Sequence, residues 1–493
     1  MTHYQTLTAH FKKISHFQHL QAICGWDQAA KMPSGGNVAR AEAMAELSVH
    51  IHQLLTAPEL SDSFNEAKEG ALSVPEQASL REMHRQWQHA NVLSKDLVQA
   101  KSMAGAKCEH AWRTQRGEND WQGFEKNWAE VVKLSQEEAQ IRAEATGLSA
   151  YDAMLDIYEP GTTSAQLDVV FGDVKNWLPA LIEQVIEKQA SESFIAPSGT
   201  FEISQQKALG MEVMRLLQFD FNHGRLDESA HPFCGGVPQD VRITTRYSQD
   251  EFMQSLMGIV HETGHARYEQ GLPHAFSGLP VGCARSMGIH ESQSLFFEMQ
   301  VGRSSAFIEH LARLASKHFP QNEQALFNKA NFQRLYTRVE RGFIRVDADE
   351  LTYPAHVILR YEIERDLING HIKHTDVPEL WNEKMKAYLG LSTTGNYNHG
   401  CMQDIHWTDG AFGYFPSYTL GAMYAAQFMA SMKQVLDVNT IIQSGDLSPI
   451  FSWLETHIWS QGSLLTTNEL VKQATSETLN AAYFKQHLSE RYL

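Results

Sequence analysis

The sequence predicts a mainly α-helical fold carrying a small β-sheet, on three observations. Apolar residues recur at helical spacing through long stretches. Alternation at a period of two is confined to one short segment. The densest cluster of chemically capable side chains, around residues 258–271, lies within a helical pattern.

The 493 residues could form two or three average domains or one large helical unit. Hydrophobic residues make up 43% and charged residues 20%, as expected for a globular chain with a sizeable core. The formal charge of −17, with no basic stripe, excludes a nucleic-acid binder. Cys24, Cys108, Cys234, Cys283 and Cys401 are odd in number and widely spaced, with no C-x-x-C pair. They predict neither a disulfide framework nor a cysteine zinc site and fit a reducing, cytoplasmic setting.

In chain order, MTHYQTLTAHFKKISHFQHLQ has no uninterrupted apolar core, so no secretory signal is expected. Leu80, Met83, Trp87 and Ala90 line one helix face, and Leu93, Leu97, Ala100 and Met103 continue the pattern. Residues 119–146 repeat it with Trp121, Phe124, Trp128, Val131 and Leu134, and Gly147 is the expected stop. SESFIAPSGT (191–200) reads as a loop without a composition change that would divide the chain. HPFCGGVPQ, with two prolines and two glycines, reads as irregular. DVRITTRYS alternates Val241, Ile243, Thr245 and Tyr247 with polar residues and is expected at a sheet edge, where an extended peptide could pair with it. DADELTYPAHVILRYEIERDL reads as a helix with Pro354 early and its acidic residues on a solvated face. The uncharged stretch 411–432 is interrupted by Pro416, Gly421 and Gln427 and reads as a buried helix rather than a membrane span.

SQDEFMQSLMGIVHETGHARYEQG holds the decisive motif. Ser248 and Glu251 form a capping-box pattern, Phe252, Leu256 and Ile259 supply an apolar face, and Gly271 ends the helix. His261 and His265 then sit one turn apart on one face, about 6 Å along the axis, within reach of one ion. Glu262 faces the neighbouring side, where a general base would stand. Gly264 weakens the helix and implies a close neighbour. H-E-x-x-H alone is equally compatible with two histidines sharing a face, so a third ligand is needed. Tyr268 and Gly271 exclude the metzincin extension. Glu269 is about 12 Å along the axis from His261, too far to share an ion. Downstream, MGIHESQSLFFEMQVG offers Glu291, with His290 as rival and Glu298 as a weaker ligand or a partner to a ligand histidine.

With that second helix in view, the chain resembles the carboxypeptidase Taq family of metallocarboxypeptidases. HPF (231–233), DVRIT (240–244), HETGH (261–265), HESQ (290–293), IRVDADE (344–350) and GCMQDIHW (400–407) occur in the family's order, and WDQAAKMPSGG (26–36) resembles its opening segment. The resemblance implies that Glu291 rather than His290 completes the ligand set with His261 and His265. It implies one zinc ion per chain, with cobalt as the alternative, and a homodimer. It further implies a single catalytic unit over 1–493, an elongated helical body with a deep groove related to angiotensin-converting and neurolysin-type peptidases. Helices within about residues 1–75 would partly cover that groove.

The implied activity is removal of C-terminal residues from peptides of broad sequence, with Glu262 as general base. His406 and Tyr418, at the spacing found in neurolysin-like enzymes, are the candidate oxyanion donors, with Tyr414 as alternative. Arg345 is the first candidate for the substrate's terminal carboxylate, its plainer role being an ion pair with Asp347, Asp349 or Glu350. Arg242 is the second candidate, or a residue that closes the groove. Gln403 and Asp404 would line the groove or support His406. The competing readings are an endo-acting oligopeptidase or dipeptidyl carboxypeptidase, and a non-catalytic scaffold that keeps a metal for stability.

Overall fold

In the computed structural model, which describes residues 2–493, helices of 7 to 28 residues follow one another almost without interruption. The chain opens with α1 (His3–Ala30), α2 (Asn37–Leu55), α3 (Glu59–Lys68) and α4 (Val74–Asn91). Next come α5 (Lys95–Gly117), α6 (Trp121–Thr146), α7 (Ala150–Tyr158), α8 (Ser164–Gln189) and α9 (Ile203–Leu216). A sheet of β1 (Gly224–Glu228), β2 (Phe233–Val237) and β3 (Asp240–Thr245) leads into α10 (Met253–Gln270) and α11 (Met287–Leu295). After a π-helical turn at Phe296–Gly302 follow α12 (Ser305–His318), α13 (Lys329–Tyr336), α14 (Tyr353–Ile368), α15 (Val377–Leu389) and α16 (Pro416–Met432). The chain ends with α17 (Val438–Ser444), α18 (Ser448–His457), α19 (Thr467–Thr475) and α20 (Ala482–Tyr492).

The helices predicted from periodicity are present. Gly147 ends α6 in the left-handed conformation, φ 75°. Residues 191–200 are a loop. Met103, placed on an apolar face by spacing alone, is instead exposed. The uncharged stretch forms α16, buried along nearly its whole length, and no helix among the described residues is long and apolar enough to cross a membrane.

Three expectations need correction. β3 is the central strand, not an edge: it pairs in parallel with β1 and antiparallel with β2. β1, GRLDE, carries little apolar signal because Arg225 and Asp227 pair with each other along it. HPFCGGVPQ is not irregular, because Phe233–Val237 forms β2. Its glycines serve the hairpin: at Gly236, φ 100°, a Cβ would meet the Asp240 carbonyl at 2.1 Å. The acidic residues from 350 onward are not a solvated face. Glu350, Glu362 and Glu364 are all buried, each with hydrogen-bond partners from distant segments.

One extended core runs through α5–α20, and a satellite cluster under α1–α4 packs on Leu279 and Val281. Trp26 of α1 lies under the guanidiniums of Arg242, at 4.5 Å, and Arg225, at 5.3 Å, which seats α1 against the sheet. The buried Glu159 accepts from the Gly288 amide at the start of α11 and from Ser417 Oγ, 2.8 Å, at the start of α16. A carboxylate suits both helix N-termini and registers the two against each other.

The C-terminal helix is clasped by Glu350, which receives His487 Nε2 at 2.5 Å, Arg491 Nη1 at 2.9 Å and the Tyr492 hydroxyl at 3.0 Å. Burial opposes its charge, but Arg491 and His487 outweigh that and hold its carboxyl far below the usual range. A depressed folded-state pKa gives stability that is complete above the unfolded value of about 4.3 and is lost as pH falls below it. Protection of the α20 amides, measured relative to intrinsic exchange at each pH, is therefore expected to fall on acidification towards about pH 3. Glu350→Gln should remove most of that dependence and cost about 3–5 kcal/mol at neutral pH.

Candidate metal centre

The sheet delivers the chain to α10, which begins at Met253. The expected capping box is absent. Instead the Glu251 carboxylate accepts from the amides of Met253, 2.5 Å, and Gln254, 2.9 Å, so the helix starts after it. Along α10, His261 and His265 project together, with ring centroids 5.0 Å apart.

Two glycines bring the next helices close. A Cβ on Gly264 would sit 2.5 Å from the Gln293 carbonyl, so α11 crosses α10 there in near backbone contact. A Cβ on Gly421 would sit 2.7 Å from Glu291 Cγ, so α16 presses directly on that glutamate. Glu291 is thereby held over the histidines, and donor atoms of His261, His265 and Glu291 all lie within 4.8 Å of one another. Gly421→Ala is expected to displace Glu291 and lower metal affinity about tenfold, measured by chelator competition.

His261 Nδ1 donates to Glu298 Oε2 at 2.8 Å, which leaves Nε2 facing the trio. Glu298 Oε1 in turn accepts from Arg303 at 2.8 Å. His265 Nε2 stands 3.5 Å from Glu291 Oε2, and its buried Nδ1 has no partner among the described residues. His290, the rival ligand, stacks on His265 at 4.5 Å and points its Nε2 to Glu269, 2.8 Å away. Glu269 thus engages His290 rather than the trio.

Glu262, 8% exposed, lines the same cavity. Burial raises its carboxyl to about 7, with His261 opposing and Glu291 adding to the rise. For His261 burial favours the neutral ring, but Glu298, Glu291 and Glu262 outweigh it and lift it to about 10. Burial and the neighbouring His290 lower His265 to about 4. Three carboxylates thus surround the imidazole pair and call for positive charge there. Two imidazoles and one carboxylate with an open side form the donor set of a hydrolytic zinc site, so these residues fit a divalent metal.

The cavity encloses about 790 Å³ and is lined also by Arg345, Tyr353, Tyr414 and Tyr418, with Met253, Met257, Met287 and Met299 on its apolar walls. Arg345, 5% exposed, gives Nε and Nη2 to Asp404 Oδ1 at 3.0 and 2.9 Å and Nη1 to the Tyr353 hydroxyl at 2.8 Å. Its guanidinium lies 5.0 Å from the centre of the Tyr418 ring. The partner is therefore Asp404, not Asp347, Asp349 or Glu350. Asp404 also accepts from the fully buried Arg360 at 2.7 Å, so one carboxylate serves two guanidiniums.

His406 Nε2 and the Tyr418 hydroxyl lie 3.2 Å apart. Burial, then the charge of Arg345, lowers His406 to about 4. Tyr414 packs on Tyr418 at 5.3 Å. Gln403 lies behind Arg345: its carbonyl accepts from the Arg345 amide at 2.8 Å and its amide donates to Phe343 and His399 carbonyls, so it does not line the cavity. Arg242 also stands apart, paired with Asp240 at 2.5 and 2.8 Å. Sequence reasoning missed Arg303 and Tyr353. Arg303 is five residues from Glu298 across the π-helical turn, a spacing that ordinary helical periodicity does not bring to one face.

A sequence model described as carboxypeptidase Taq (M32) metallopeptidase matches residues 6–492. The chain belongs to the carboxypeptidase Taq family. Carboxypeptidase 1 of Bacillus subtilis (strain 168) is 34% identical over 487 residues, spanning 98% of this chain and 96% of that protein. Thermostable carboxypeptidase 1 of Thermus thermophilus is 34% identical across 99% of this chain and 98% of its own. The solved structure of Trypanosoma cruzi metallocarboxypeptidase 1 superposes with a TM-score of 0.97 at 47% identity, covering 99% of both chains. A Pyrococcus furiosus carboxypeptidase structure gives 0.95 at 31% identity, covering 100% of this chain and 99% of that one. The carboxypeptidase Taq resemblance read from the motifs is thus correct, and the chain is a metallocarboxypeptidase with a mainly helical fold.

Proposed function

We propose that this carboxypeptidase Taq enzyme removes residues singly from the C-termini of peptides of broad sequence at the His261–His265–Glu291 centre. The observation that carries the reading is the convergence of those three donors in the cavity that also holds Glu262 and Arg345. His261, His265 and Glu291 would hold a divalent metal there, zinc or alternatively cobalt, which would supply Lewis acidity towards the scissile carbonyl and a water. Glu262 accepts the proton of the attacking water and returns it to the departing amine. His406 and Tyr418 donate to the developing oxyanion, with Tyr414 as the alternative donor. Glu298 and Arg303 orient His261.

Arg345 binds the substrate's terminal carboxylate. Its charge and that of Arg360 are opposed by the single carboxylate of Asp404, so the triad keeps a surplus positive charge beside the cavity. Arg242 and Gln403 act indirectly in this reading, Arg242 by seating α1 and Gln403 by fixing the Arg345 backbone. The neurolysin-like groove, the single unit over 1–493 and its partial cover by the first 75 or so residues belong to the same proposal. The packing of α1 on the sheet supports that cover, because Phe233 and Cys234 of β2 also line the cavity. A homodimer is part of the proposal. So is a cytoplasmic setting, supported by five free thiols.

The test is digestion of one peptide with a free and with an amidated C-terminus. Stepwise release from the free form is expected, with the amidated form cleaved far more slowly. Equal cleavage of the amidated form would favour an endo-acting oligopeptidase, and release of residue pairs a dipeptidyl carboxypeptidase.

A further inference from the structure

A second cavity, of about 970 Å³, lies between α4, the ends of α6 and α7, and the start of α19. It shares no lining residue with the cavity at the histidine pair. Its walls carry Lys68, Arg81, Arg85, Arg142 and Arg285, five cations, against two carboxylates, Glu82 and Asp156. The whole chain, by contrast, has a formal charge of −17.

The cations are under-compensated in detail as well as in count. Glu82 is shared by Arg285 at 2.8 Å and Arg81 at 2.7 Å. Arg85 donates to the Asp156 carbonyl, and its carboxylate partner stands 3.7 Å away. Arg142 reaches Glu138, outside the lining, at 2.8 Å, and Lys101 shares that carboxylate. The nearby Glu469 is turned back onto the Thr466 amide at 2.8 Å.

Three buried polar atoms on lining residues have no hydrogen-bond partner among the described residues: Arg85 Nε, Arg285 Nε and Thr467 Oγ1. Arg285 is 5% exposed and Thr467 4%. The Arg285 guanidinium, withdrawn from water with only a share in one carboxylate, is costly to hold there. An entering anion would supply the missing negative charge. Leu72, Leu80, Trp87 and Val92 offer the remainder of the cavity as apolar wall.

We propose that this cavity is a second binding site, for a small organic anion with one carboxylate or phosphate head on an apolar body. The head takes the Arg85–Arg285 side, where guanidinium forks suit either oxyanion. The body lies against Trp87 and the leucines. The site is separate from peptide hydrolysis and does not depend on the roles assigned at the histidine pair.

Isothermal titration calorimetry of the full-length, zinc-supplemented protein with phenyl phosphate and with phenylacetate tests this at neutral pH. Saturable one-to-one binding of at least one probe is expected, and the tighter probe identifies the head group. Arg85→Gln and Arg285→Gln should each weaken it about tenfold or more. Gln77→Trp, at the exposed rim, should block entry while leaving every cation in place, so the proposal stands or falls even if an arginine variant does not fold. No saturable heat with either probe would overturn it. Binding that survives all three substitutions would do the same, as would binding that vanishes only when the metal is chelated.

Discussion

Glu262→Gln is expected to bind metal as the wild type does and to lose peptide turnover by about a thousandfold or more. Glutamine matches glutamate in size, keeps an oxygen where the carboxylate stood, and cannot take a proton. His261, His265 and Glu291 supply the donor trio without it, so the metal content should not change. The experiment is metal analysis alongside steady-state kinetics. The split between retained metal and lost kcat separates a base from a ligand, because removal of a ligand would take both. It also separates the enzyme from a scaffold that merely stores an ion, in which the substitution would have no turnover to remove. A variant that keeps metal and cleaves within tenfold of wild type would remove Glu262 from the reaction. Glu262 is 8% exposed and lines the same cavity as His261, His265 and Glu291. Burial there lifts its carboxyl to about 7, and the charge of a bound cation would shift it further towards the basic form at neutral pH.

The local part of this centre was legible because helical geometry converts spacing into proximity. His261 and His265 share a face at any four-residue separation, and Gly264 announced a close neighbour that is the α11 backbone. Glu291 and Glu298 were visible as candidates on the following segment, but the residues alone left His290 as a rival, and the choice of Glu291 came from the family resemblance. What spacing could not carry was the pairing of residues far apart in sequence. Asp404, 59 residues beyond Arg345, holds it in place of the three nearer acids. Glu350 meets Arg491 141 positions away, so its apparent solvated face is interior. The same holds for the sheet. The alternation in β3 was visible, but its centrality depends on β1, whose polar sequence gives no strand signal.

Arg345→Gln is expected to lower kcat/KM on peptides with a free C-terminus by a factor of about 30 to 3,000. That corresponds to loss of one partner from a buried, hydrogen-bonded charge pair, about 2–5 kcal/mol. The fold should survive, because Asp404 retains Arg360 and is not left buried alone. Arg345→Lys should recover little. A lysine ammonium is a point charge without the planar fork that here spans Asp404 and the Tyr353 hydroxyl while lying over the Tyr418 ring. The deciding measurement is the ratio of free to amidated peptide cleavage in each variant. If Arg345 reads the carboxylate, the ratio collapses while slow amidated-peptide cleavage is unchanged. Equal losses on both would mean that Arg345 only orders Tyr418 and its surroundings. Metal analysis of the same samples should show no change, since the arginine holds Asp404 and Tyr353 rather than the histidines or Glu291. A loss confined to the free-carboxylate peptide, with metal and amidated-peptide cleavage intact, has no cause other than the missing fork. The activity would then be limited to chain ends by one guanidinium rather than by the shape of the cavity.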